Sequence, residues 1–139
     1  MATAYLTRIV EFTATHRLRR ADWPDARNRA TFGGAAADHA HRYQVHVTLK
    51  GPLAAREGGV VDLAALDRLL ADEVTARFDG RHINEDVPEF GDGAMLATGE
   101  ALAVYLWGRL AGHLPTGAAL HSIRVQEGPH LHAEYFGDD

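Results

Sequence analysis

Cysteine is absent from this chain of 139 residues. That excludes a disulfide framework, Cys-ligated zinc, an iron–sulfur cluster and a thiol nucleophile. No apolar run approaches the roughly 18 residues that span a bilayer, so no membrane partner is expected. No repeat, low-complexity tract or linker rich in Pro and Gly divides the chain, which reads as one domain over residues 1–139. Basic residues are outnumbered, 14 to 19, for a net charge of −5 with neutral His, which argues against nucleic acid as a partner. The opening Met1-Ala-Thr-Ala-Tyr-Leu-Thr-Arg8 has neither a basic segment nor a following apolar one, so a cytoplasmic location is expected.

What the chain does have is an ordinary globular composition, 46% hydrophobic and 24% charged, and nine histidines. Charge of one sign is also clustered. Arg17, Arg19, Arg20, Arg27 and Arg29 crowd one short segment, diluted only by Asp22 and Asp25. On an acidic protein such a patch is either a solvated loop or a place to meet a phosphate or carboxylate of a small substrate.

Tyr5 to His16 alternates as a strand with Leu6, Val10, Phe12, Ala14 and His16 on one face. A loop is expected from Arg17 to about Asp38. His39 to Leu49 alternates more sharply: His39, His41, Tyr43, Val45, Val47 and Leu49 on one face, polar residues on the other. Gly51-Pro52 ends it and Gly58-Gly59 marks a turn. Asp62 reads as the N-cap of a helix to about Phe78, with Leu63, Leu66, Leu69, Leu70 and Val74 as its apolar stripe. Asp79 to Gly93 reads as a loop. A second helix starts after Thr98 and ends near Gly112, and strands are expected over Leu120–Glu127 and Leu131–Phe136. The order β-β-α-α-β-β predicts an α+β fold: a four-stranded antiparallel sheet with two helices packed on one face. Its two open edges favour oligomerisation into a barrel.

His39-Ala40-His41 puts two imidazoles on one face of a strand, and His16 ends the neighbouring strand on the matching face. Three imidazoles around Zn²⁺ with an open fourth position form a catalytic arrangement, although three partly buried histidines bonded to carbonyls fit the same pattern. Glu127 closes an apolar strand face after Ile123 and Val125. A carboxylate there needs a strong partner: an internal Arg, or the amidine-like edge of a ligand held by two parallel hydrogen bonds. Thr98-Gly99-Glu100 is either a plain helix start or a source of backbone donors to a ligand.

These residues resemble the 6-pyruvoyltetrahydropterin synthase and 6-carboxytetrahydropterin synthase family over nearly the whole chain. Phe12-Thr-Ala-Thr-His16-Arg-Leu18 is similar to the family's Phe-x-Ala-x-His-x-Leu opening, and Asn28 to Gly33 followed by His39-Ala-His41-Arg-Tyr43 to the segment ending in its His-x-His pair. Val60-Val-Asp62-Leu, Phe78-Asp79, Ile83-Asn84, Val87-Pro88, Thr98-Gly-Glu100, Val104-Tyr-Leu-Trp107 and Val125-Gln-Glu127 complete the resemblance. It implies the tunnelling fold, with subunits assembled into a barrel as a homo-oligomer, a hexamer, and active sites between them. It implies Zn²⁺ on His16, His39 and His41, and a pterin held by Glu127 with help from Thr98 and Glu100. The implied substrate is 7,8-dihydroneopterin triphosphate.

Two departures stand out. Where the family carries a Cys before His-x-His, this chain has Gly33-Gly-Ala-Ala-Ala37, and where it carries an Asp-His pair, this chain has Asp79-Gly80. A positioned acid or base is worth about 10²–10⁴-fold, so these losses predict altered catalytic residues. The expectation is a zinc-dependent carbon–oxygen lyase with diverged chemistry on a pterin-like or phosphorylated small molecule. Asp79, His82 and His130 are its candidate proton-transfer groups, with Glu85, His132 and Asp38 also in reach. The alternatives are the family's usual conversion to 6-pyruvoyl- or 6-carboxytetrahydropterin, and a non-catalytic pterin- or metal-binding protein.

Overall fold

The computed structural model describes residues 2–53 and 59–137. Gly58, half of the expected Gly58-Gly59 turn, lies outside them. Four strands form one antiparallel sheet in sequence order: β1 (Thr3–His16), β2 (His39–Pro52), β3 (Ala119–Gln126) and β4 (His132–Tyr135). The α+β expectation is met. β2 runs three residues beyond the expected Leu49, because Thr3 and Ala4 pair with Pro52 and Gly51. The β2–β3 register shifts at Thr48/Leu49, where His121 stands unpaired between Leu120 and Ser122.

Alternation decides what faces the helices. Phe12, Tyr43, Val45, Val47, Leu49, Ile123 and Val125 are all buried on the inner face. The first long helix, α2, comprises Leu63–Leu70, a π turn Ala71–Thr75 and a last Ala76–Phe78. It begins as expected, with the Asp62 carboxylate accepting from the backbone N–H of Ala64 at 3.0 Å and of Ala65 at 3.3 Å. The last helix, α4 (Gly99–Leu110), packs against β3 and β4, and Leu102, Leu106 and Leu110 fill the core opposite Leu66, Leu70 and Val74.

Both expected loops contain helix. The first holds α1 (Asp25–Phe32) and a 3₁₀ turn Gly33–Ala36. The second holds α3 (Ile83–Asp86) and a 3₁₀ turn Pro88–Phe90. Neither has an apolar stripe to read: in α1 the one buried residue is Asn28. The second segment is stitched to the end of β1. Gly80 N–H donates to Thr13 O at 2.8 Å, Thr15 N–H to Arg81 O at 3.0 Å, and Thr13 N–H to Asp79 Oδ1 at 3.1 Å. This covers the β1 edge beside the residues that carry the site.

Candidate metal centre and substrate site

His16 and His39 are register partners at the end of β1 and the start of β2, and Ala14 lies opposite His41. The three imidazoles therefore meet at one corner of the sheet. Ring centroids are 4.5 Å apart for His16–His39, 5.1 Å for His16–His41 and 4.8 Å for His39–His41. One nitrogen from each lies within 4.8 Å of the others, the geometry of a group that can hold a metal ion.

The outer nitrogens fix the rings. His16 Nδ1 donates to Ala97 O at 2.8 Å and His39 Nδ1 to Ala37 O at 2.8 Å, since a carbonyl only accepts. Each bond leaves Nε2 as the lone pair, the usual way a protein sets the tautomer of a ligating His. His16 Nε2 is buried and has no hydrogen-bond partner. Burial, together with the neighbouring His39 and His41, brings the His16 pKa down to about 4 although the Ala97 bond opposes it. The ring is therefore neutral at ordinary pH, as a metal ligand must be. An orphaned, neutral, buried nitrogen facing two further imidazoles fits a metal better than it fits three carbonyl-satisfied histidines.

Glu127 follows β3 and its Oε1 lies 3.7 Å from His16 Nε2. No arginine pairs with it among the described residues, so the internal Arg partner is not what holds it. Burial first, then the charge of Glu100, pushes its carboxyl above the ordinary carboxylate range. The carboxylate rests against the start of α4, where a Cβ on Gly99 would come within 3.3 Å of Glu127 Oε2. Thr98 is the N-cap, its Oγ1 accepting from Ala101 N–H at 3.1 Å, and Glu100 is exposed in the first turn.

The candidate proton-transfer residues are placed differently. Asp79 is exposed and its Oδ1 is engaged with Thr13 N–H. His82 Nε2 lies 3.2 Å from Asp38 Oδ1 and 3.8 Å from Glu85 Oε2. These three also sit close enough to suggest a cation site. The cation is already present: Arg17 reaches Asp38 at 3.1 Å, Glu85 at 3.5 Å and Asp92 at 3.0 Å. His130 is exposed in the β3–β4 turn and joins neither cluster. His132 pairs with Gln126 across the β3–β4 ladder, on the sheet's outer face, with Nδ1 2.9 Å from Arg124 Nη2.

Sequence reasoning missed two features here. Arg17 and Asp38 flank the register partners His16 and His39, so their pairing was foreseeable once that register was assumed. The second is Tyr43, counted as apolar core. Its ring lies 5.5 Å from His41 and 5.9 Å from His16, and its hydroxyl is buried without a partner.

A sequence profile described as 6-pyruvoyl tetrahydropterin synthase matches residues 5–138, and the chain belongs to that family. It is 33% identical to the 6-pyruvoyl tetrahydrobiopterin synthase of Poecilia reticulata over 125 residues, covering 88% of this chain and 83% of that one. The Drosophila melanogaster protein of the same name is 32% identical over 136 residues, covering 96% and 80%. The solved structure of Caenorhabditis elegans 6-pyruvoyl tetrahydropterin synthase superposes with a TM-score of 0.90 at 28% identity, covering 99% and 98%.

These likenesses overturn the expectation of diverged chemistry. Relatives that match most of the chain carry the name of the usual synthase. The physical lesson is one of magnitude. A missing acid or base concerns about 10²–10⁴-fold in rate and leaves the groups that select substrate and metal in place, so it is weak ground for inferring a new reaction.

Proposed function

We propose that this chain catalyses the family's usual conversion, taking 7,8-dihydroneopterin triphosphate to 6-pyruvoyl tetrahydropterin as a carbon–oxygen lyase that breaks the C–O bond to the tail and releases inorganic triphosphate. One observation carries the reading: the orphaned Nε2 of His16, facing His39 and His41, lies 3.7 Å from the Glu127 carboxylate. A metal ligand and an acceptor for the guanidine-like pterin edge thus share one corner. His16, His39 and His41 would hold Zn²⁺, which when bound polarises a substrate hydroxyl and eases its deprotonation. Glu127 binds and orients the pterin by paired hydrogen bonds, supported by Thr98 and Glu100 at the start of α4. Among Asp79, His82 and His130, we assign proton transfer to His82, which Arg17 and Asp38 hold at the end of the strands carrying the histidines. We further propose that the chain is one domain acting in the cytoplasm as a homo-oligomeric barrel, a hexamer. No helix among the described residues is long and apolar enough to cross a membrane.

The test is direct. Metal content is measured on the purified protein, which is then incubated with 7,8-dihydroneopterin triphosphate and followed by mass spectrometry. The expected result is bound zinc and a product with the mass of 6-pyruvoyl tetrahydropterin, lost on chelation. His39→Ala should lose the metal and Glu127→Ala the pterin. Full metal content in the first or undiminished pterin affinity in the second would overturn the corresponding assignment, and a 6-carboxy product would replace the reaction proposed.

A further inference from the structure

The fold sorts the five arginines of the first segment by partner. Arg17 is held by Asp38 and Asp92. Arg20 lies 3.5 Å from Asp22, and Arg27 stacks 3.8 Å from the Trp23 ring centroid. The other two, Arg19 and Arg29, line one surface cavity of about 410 Å³ together with Asp25, Asn28, Gly33 and Gly34. That volume falls in the range of small-molecule sites, about 300–1,000 Å³.

The cavity is a built feature. Asn28 is 1% exposed, and it ties α1 to the preceding segment: its Oδ1 accepts from Arg20 N–H at 2.8 Å and its Nδ2 donates to Arg20 O at 3.1 Å. The backbone bearing Arg19 is thereby fixed against the helix bearing Arg29. Gly33 turns the chain at φ 61°, and no atom lies within 4 Å of a Cβ at Gly33 or Gly34, so the wall there is low and open. The lining continues to Ala37, whose carbonyl holds the ring of His39. The cavity therefore adjoins the candidate metal centre.

Its charge chemistry is specific. Arg19 pairs with Asp25 at 2.8 Å, whereas Arg29 has no ion pair among the described residues. In a chain of net charge −5, two arginines lining one cavity against a single carboxylate, itself paired with Arg19, make a local anion site. Guanidinium groups match phosphoryl oxygens with paired, charge-assisted hydrogen bonds.

We propose that this cavity is a polyphosphate subsite. Arg29 binds phosphoryl oxygens directly, and Arg19 joins it by leaving Asp25 for the anion. The inference rests on the function proposed above in taking the tail of the substrate as the occupant, but the site is testable without it. Inorganic tripolyphosphate is titrated calorimetrically into the purified full chain at fixed ionic strength. Arg29→Gln should weaken binding about ten-fold or more, the loss of a charge-assisted pair. Asp25→Asn should tighten it by freeing Arg19. Arg27→Gln, outside the cavity, should change it less than two-fold, by the stated geometry and the weakness of screened surface charges. Absence of wild-type binding, or equal losses in Arg27→Gln and Arg29→Gln, overturns the proposal. So does binding that Arg29→Gln leaves unchanged, which is the result expected if the anion merely meets a bound metal.

Activity separates the two readings. If the wild type turns over 7,8-dihydroneopterin triphosphate, Arg29→Gln should raise KM for it and leave the affinity for unphosphorylated dihydroneopterin unchanged. An unchanged KM sinks the subsite while the reaction stands. Tripolyphosphate binding that depends on Arg29, without turnover by the wild type, sinks the reaction while the anion site stands.

Discussion

Tyr43 shows how one atom escapes a pattern. Alternation puts it on the apolar face, and its ring obeys, fully buried and stacked 5.0 Å from Phe12. The hydroxyl has no such company. Burial, and after it the charge of Glu127, pushes its pKa upward, so the group stays a neutral O–H with nothing to bond. A buried unpaired polar group costs about 1–3 kcal/mol. Tyr43→Phe should therefore leave the metal-free protein as stable as before or stabilise it by about 1 kcal/mol, read by urea unfolding with a chelator present. A loss exceeding 1 kcal/mol would mean that the hydroxyl has a partner. Other residues were legible in advance for definite reasons. His16, His39 and His41 fall on one face by the two-residue period of a strand, and their convergence needs nothing beyond the β1–β2 pairing. The counter-ions of Arg17 were hidden because Asp92 and Glu85 come from a segment folded back on β1.

Among the elements, those with a strong local signal were read and those without one were not. The start of α2 is fixed by Asp62, which occupies two of the helix's free N–H groups, and its apolar stripe then buries Leu66 and Leu70. Asp62→Ala should cost about 1 kcal/mol of stability by chemical denaturation, and Asp62→Asn little, because Asn caps equally well. Equal losses from both would show that the carboxylate charge, not the cap bond, is what matters. By contrast α1 offers no period. It is a polar helix whose one buried side chain is Asn28, and hydrogen bonds to the backbone of Arg20 and Trp23 fix it in place. Such bonds span only a few residues but leave no hydrophobic trace. In α3 the anchor is long-range: beside the buried Ile83, Asn84 accepts from the distant Arg17 N–H at 2.8 Å and donates to Phe90 O at 3.0 Å.

Across the whole molecule, Glu73 in the π turn of α2 binds the two long helices together. It accepts from Arg109 of α4 at 2.9 Å and from Arg77 of its own helix at 3.1 Å. Arg109 above all, and Arg77 after it, hold the Glu73 carboxyl below the ordinary carboxylate value. The sign of the pH effect follows. With the folded pKa below the unfolded one, the unfolded chain takes up the proton first, so the contribution is present above the unfolded value and disappears as pH falls through the folded one. Wild-type Tm should drop in that acid range, and Glu73→Gln should drop less over the same interval. Parallel Tm curves for the two proteins would refute the link.

The sequence by itself determined the order of the four strands and two long helices, the inner faces of β1, β2 and β3, and the three histidines. It also determined Glu127 as a carboxylate in need of a partner. All of these follow from periods of 2 and 3.6 residues acting within one segment. Tertiary structure decided the rest. It placed a carboxylate, an unpaired hydroxyl and a neutral imidazole at one corner. It neutralised the Asp38–His82–Glu85 group with Arg17, and it left Arg29 facing a cavity while its neighbours found partners. Which charge meets which depends on segments distant in sequence arriving at one place, and local periodicity carries no record of that encounter.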